Sequence, residues 1–156
     1  MSFPASLISR RAFAVLALTS VVALGACGDD GGPKGDSYRL FSVNSQPLPI
    51  VQTNEFGTFS LKSGVLSLNS GGKYTVRVNT SLKPAGGAVQ NSVNGENGTY
   101  VISGSTITLT PTHDFEDGVL TPSPDADPVS GTKTASSVTL NTPDFSGGFV
   151  TIVFQK

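Results

Sequence analysis

From Ser37 onward, apolar side chains return at every second residue. Phe41 and Val43 alternate with polar neighbours, and so do Phe59 and Leu61, Leu66 and Leu68, Tyr74 and Val76, Tyr100 and Ile102, Ile107 and Leu109, and Val138 and Leu140. A period of two places apolar residues on one face of an extended chain, so each run predicts a strand with one buried and one wet face. The last run, Phe149 to Phe154, is apolar on both faces apart from Thr151. No stretch beyond residue 37 keeps helical spacing. The nearest candidate, Lys83 to Val93, contains Pro84 and Gly86-Gly87, which oppose a helix. Between the runs stand Ser63-Gly64, Ser70-Gly71-Gly72, Ser103-Gly104 and Ser146-Gly147-Gly148, which supply the positive φ of hairpin turns. A loose repeat accompanies them: Gly57-Thr58-Phe59, Gly72-Lys73-Tyr74 and Gly98-Thr99-Tyr100 each open a predicted strand.

Hairpins laid side by side form a meander, and a meander of about eight strands leaves two edges of unpaired backbone groups that closure would satisfy. The predicted fold is all-β, an antiparallel up-and-down meander of about eight strands closed into a small barrel. A two-sheet β-sandwich has the same periodicity and stands as the alternative. The predicted inward set is the seven pairs above with Ile152 and Phe154. An eight-stranded interior is just wide enough to be filled by side chains or to hold one small ligand. Alternation alone does not say whether Phe59, Tyr74 and Tyr100 plug the barrel or line it.

The N-terminus follows another pattern. Arg10 and Arg11 precede an uncharged stretch from Ala12 to Ala26. As a helix it would span about 22 Å, short of the ~30 Å hydrocarbon core, so it predicts a secretory leader and not a membrane-spanning helix. The fuller twin-arginine export motif is missing. Leu24-Gly25-Ala26-Cys27 resembles the lipobox of bacterial lipoproteins. That resemblance implies cleavage before Cys27, diacylation of its sulfur with palmitate-class chains and acylation of the new amine. Two or three chains anchor a protein stably where one does not, and an acylated Cys27 is unavailable as a nucleophile or metal ligand. Gly28 to Asp36 carries no apolar side chain and predicts a flexible tether spanning about 15–18 Å. The expected organisation is a signal peptide over 1–26, the lipidated cysteine and tether over 27–36, and the barrel over 37–156. Under the lipoprotein sorting rule of enteric bacteria, aspartate directly after the cysteine retains a protein in the inner membrane. Gly28 stands there and Asp29 one place later, so envelope localisation at the outer membrane is expected.

Within the domain, Tyr38 to Pro49, Ser63 to Tyr74, Gly98 to Leu109 and the closing Val153-Phe154-Gln155-Lys156 occur in an order that resembles small bacterial lipocalin-like lipoproteins. The resemblance covers about residues 37–156. It implies a calyx-type barrel and offers no binding residues to carry over.

Composition narrows the chemistry. Charged residues make up 13% of the chain and the net charge is −1, which excludes a basic nucleic-acid footprint. Removing the leader takes two arginines and no acid, so the mature chain falls to −3. A single cysteine excludes an internal disulfide framework and a multi-cysteine zinc site. The one histidine, His113, stands beside Asp114, Glu116 and Asp117. Imidazole and carboxylates could hold a metal or share a proton, but the preferred reading is a solvated loop ending at Gly118. Asp125 and Asp127 could add oxygen ligands for calcium, yet EF-hand spacing is absent and Pro122, Pro124 and Pro128 predict a stiff surface loop. No serine sits in a nucleophile elbow and no phosphate loop is present, so no catalytic residue, cofactor or metal is assigned and enzymatic activity is not expected. Asn79-Thr80-Ser81 and Asn97-Gly98-Thr99 match the glycosylation triplet by chance, and Arg77 is expected to point into solvent. The expected function is a lipid-anchored envelope protein whose barrel binds a small apolar ligand. The alternative is a filled barrel that contacts another envelope protein.

Overall fold

The computed structural model describes residues 35–143 and 148–156. The predicted leader, Cys27, the tether up to residue 34 and Ser146-Gly147 of the last predicted turn lie outside the described residues. Within them the chain is all β, in eleven strands: β1 Asp36–Val43, β2 Gln46–Pro47, β3 Ile50–Asn54, β4 Gly57–Asn69, β5 Lys73–Pro84, β6 Gln90–Ser103, β7 Thr106–Glu116, β8 Val119–Pro122, β9 Val129–Lys133, β10 Ser137–Pro143 and β11 Phe149–Gln155.

Eight of these close into a ring in the order β1, β4, β5, β6, β7, β9, β10, β11 and back to β1, every pair antiparallel. Ring neighbours follow chain order, so the barrel is up-and-down, and β2, β3 and β8 lie outside it. Closure overturns the sandwich alternative: β1 bonds to β4 on one side and to β11 on the other, leaving no edge between two sheets.

The long strands do more than form the ring. The second half of β4 pairs with β1 and its first half with β3, while the first half of β7 pairs with β9 and its second half with β8. The sheet therefore continues past one rim of the barrel as a projecting wall, β3-β4-β5-β6-β7-β8. At the opposite rim lie the chain's entry at Asp36, its end at Lys156 and the turns at Gly71-Gly72 and Gly104.

Most of the predicted inward set faces inward. Leu66, Leu68, Tyr74, Ile107, Leu109, Val138, Leu140 and Phe154 are buried, and Val43, Leu61, Val76, Tyr100 and Ile152 pack against them half-buried. Three members differ. Phe41 is 52% exposed because it is the extra residue of a bulge: Leu40 pairs with Phe154 and Ser42 with Val153. The bulge shifts the alternation, so Tyr38 and Leu40 fill the core before it and Val43 joins after it. Phe59 lies on the interior face of the sheet but on the projecting wall, where nothing covers it, and is 41% exposed. Ile102 sits at the turn rim and is exposed for the same reason.

The predicted turn at Ser63-Gly64 is also corrected. β4 runs straight through it, and the change of face between Leu61 and Leu66 comes from a bulge at Lys62. Gly98 does not open a strand but lies in the middle of β6. Asp36 belongs to β1, not to the tether: its carboxylate accepts hydrogen bonds from Lys156 at 2.7 Å and Tyr38 at 3.2 Å, and Lys133 lies at 3.5 Å.

Candidate functional site

The interior is filled at one end and hollow at the other. Tyr38, Leu66, Leu68, Tyr74, Ile107, Leu109 and Val138 pack the end where the chain enters. Toward the wall, a cup of about 260 Å³ opens between β5–β6 on one side and β9–β11 on the other, lined by Val76, Glu96, Val129, Leu140, Thr142, Ile152 and Phe154. Strand pairing explains the lining. Val76 faces Glu96 across β5–β6, and Leu140 faces Ile152 across β10–β11, so all four project from the interior face.

Glu96 is the one ionisable group in this lining. Its Oε1 accepts a hydrogen bond from the Tyr74 hydroxyl at 2.7 Å. Burial pushes its carboxyl above the ordinary carboxylate range, the Tyr74 hydrogen bond opposes that shift, and the nearby Asp114 adds to it. The Tyr74 phenol is pushed up by its own burial and by Glu96. Asp114 pairs directly with Glu96 across β6–β7 and so stands on the same face, exposed and outside the cup's lining. An apolar cup with one partly buried acid can enclose a small molecule and orient it through one polar contact.

The predicted His113 loop is not a loop. Thr112 to Glu116 completes β7, and Asp117-Gly118, both at positive φ, make the hairpin to β8. A period of two then separates the cluster: Asp114 and Glu116 lie on the interior face, while His113 and Phe115 lie on the outer one. Asp117 is engaged elsewhere, accepting from the Val93 amide at 2.7 Å. Among the described residues, no three of His, Cys, Asp and Glu come together as a metal site. Asp125 and Asp127 lie in the segment between β8 and β9. Arg77 does face away from Tyr74 and Val76, but it does not point into solvent. Its guanidinium stacks 3.8 Å from the centroid of Phe115 and donates to the carbonyls of Val76 at 2.7 Å and Glu96 at 3.2 Å. Gly95, directly between Arg77 and Phe115 in register, has no side chain to separate them.

Two other hollows differ in character. One of about 300 Å³ lies on the wall among Val43, Ile50, Phe59 and Leu61. The other, about 310 Å³, lies beside Lys73, Asn97 and His113, where the buried Asn97 Oδ1 has no hydrogen-bond partner. Cys27 lies outside the described residues.

Glu96 was missed by the sequence reading. Gln90 to Gly98 is rich in Asn, Gly and Gln, which are poor strand formers, so the sequence pattern starts this strand at Gly98. Its signal was the phase, since Glu96 falls an even number of residues before Tyr100 and Ile102. Comparison with protein-family models, curated proteins and solved structures finds no match to the chain.

Proposed function

We propose that the protein is a lipid-anchored envelope lipoprotein whose lipocalin-like barrel binds a small apolar molecule. The observation that carries the binding half is the apolar cup at one end of an otherwise filled barrel. The anchoring half rests on the lipobox resemblance at Leu24-Gly25-Ala26-Cys27. Native mass spectrometry of protein isolated from its own host should detect a bound small molecule, and Val129→Trp, which fills the cup, should abolish it. Absence of any adduct, together with failure to bind apolar probes, would remove the binding reading. Cys27→Ser should release the protein from membranes with the barrel still folded, and continued sedimentation with membranes would remove the anchor.

A second reading, a surface that contacts another envelope protein, is favoured by the wall, where Phe56 is 77% and Leu82 46% exposed. Exposed apolar residues that lie close together mark interaction sites. This reading gains if Phe56→Ser with Leu82→Ser abolishes a co-purifying partner while leaving ligand binding intact.

A further inference from the structure

We infer that the cup selects small apolar molecules carrying a protonated amine, with the ammonium between Glu96 and Asp114 and the alkyl part against Val76, Val129, Leu140 and Ile152. The inference rests on the proposed binding role of the cup and adds the chemistry of its occupant.

Charge on the interior face is the first argument. Glu96 and Asp114 are direct cross-strand partners, and Glu116 follows on the same face one pair further on, opposite Asn94. Among the described residues, no lysine or arginine shares that face at this end. Arg77 stacks on the outer face, Lys62 reaches Asn91, and Lys133 and Lys156 sit at the opposite rim on Asp36. The contrast with Asp36 is informative, because that carboxylate, with its side chain 42% exposed, has two lysines.

Hydrogen-bond capacity is the second. An ionised carboxylate offers about four acceptor positions. Glu96 accepts one side-chain hydrogen bond, from the Tyr74 hydroxyl. A carboxylate among apolar walls is costly unless a cation or several donors meet it, and an ammonium supplies both. An inorganic cation fits less well. Calcium takes six to eight oxygen ligands, and apart from Glu96 and Thr142 the walls are mostly hydrocarbon. Size is the third argument: at roughly 30 Å³ per water-sized group, about 260 Å³ holds roughly eight such groups, so the seven heavy atoms of a six-carbon amine fit.

Binding should depend on pH through Glu96, which faces Tyr74 and Asp114, with Glu116 beyond. Burial and Asp114 hold Glu96 protonated to higher pH than an ordinary carboxyl, so amine affinity should rise with pH as it ionises.

The test is titration of the purified protein with hexylamine, hexanol and hexanoate, followed by NMR. At neutral pH hexylamine should bind about tenfold more tightly than hexanol, the scale of one net charge-assisted hydrogen bond, and hexanoate should bind most weakly. Glu96→Gln keeps an acceptor oxygen for Tyr74. It should bring hexylamine to within about twofold of hexanol, and Asp114→Asn should reduce the preference in part. Equal affinities in the wild type, or a preference that survives Glu96→Gln, would overturn the ammonium inference while leaving the cup a binding site. Failure of all three probes to bind would overturn the cup reading itself.

Discussion

Gly64 shows how one residue lets three strands meet. A Cβ built there would stand 3.0 Å from both Leu40 Cβ and Val78 Cγ1, closer than two methyl-type carbons sit comfortably. The absent side chain is what allows Leu40 of β1 and Val78 of β5 to close over β4. Gly64→Val should therefore destabilise the barrel by about 1–3 kcal/mol, the usual cost of overpacking, read as a lower denaturant midpoint. Glu96 makes an opposite case, a residue that weakens the fold under some conditions. Its folded pKa is raised by burial and by Asp114, so the folded state holds the proton more tightly than the unfolded chain does. The resulting stabilisation is fully present below the unfolded pKa and is lost as pH rises through the folded one. Glu96→Gln has no such proton to lose. As pH rises from the unfolded carboxyl's pKa through the raised folded one, the variant should gain stability relative to wild type, measured as the difference between the two melting curves. Asp36 acts with the other sign. The Lys156 hydrogen bond is the main cause holding its carboxyl below the usual range, so its contribution is present above the unfolded pKa and fades as pH falls through the folded one.

At the scale of elements, three bulges do what alternation by itself does not. Those at Phe41, Lys62 and Thr112 each insert a residue and change which face follows. Lys62 and Thr112 stand close to the places where β4 and β7 change partners, between wall and ring. A bulge bends its strand and increases local twist, which suits a sheet that must curl into a barrel on one side and run on as a wall on the other. Turns are simpler. Gly71 and Gly72 have φ of +88° and +70°, and L-residues with a Cβ pay for that conformation at about 1–2 kcal/mol each. Replacing both with valine should cost about 2–4 kcal/mol, and an unchanged denaturant midpoint would contradict the β4–β5 register. This turn was legible beforehand because its chemistry is local. The bulges were not, since a bulge takes its meaning from the strand opposite. Nor was the wall: the polar first half of β6 has no apolar alternation, and it becomes a strand because β5 bonds to it throughout and β7 from Asn94 onward.

At the scale of the whole molecule, closure depends on contacts between the two ends of the barrel chain. β1 bonds to β11, and Asp36 is tied to Lys156. Ending the chain after Pro143 would remove β11 with Ile152 and Phe154 and expose the edges of β1 and β10. Such a protein should lose cooperative thermal unfolding altogether, and a sharp transition would mean that the ring is not the folding unit. By itself the sequence determined the all-β class, most of the inward residues and the glycine turns at 71–72 and 104, because period-two burial and positive φ are properties of a few neighbouring residues. It also held the leader pattern and the lipobox resemblance, which are written as consecutive letters. Closure in place of a sandwich, the division of β4 and β7 between ring and wall, and the half-filled interior were decided by the tertiary structure. So was the site. Tyr74 and Glu96 are far apart in the chain, and only the pairing of β5 with β6 brings a phenol and a carboxyl together in an apolar cup, where burial gives the acid its altered proton affinity.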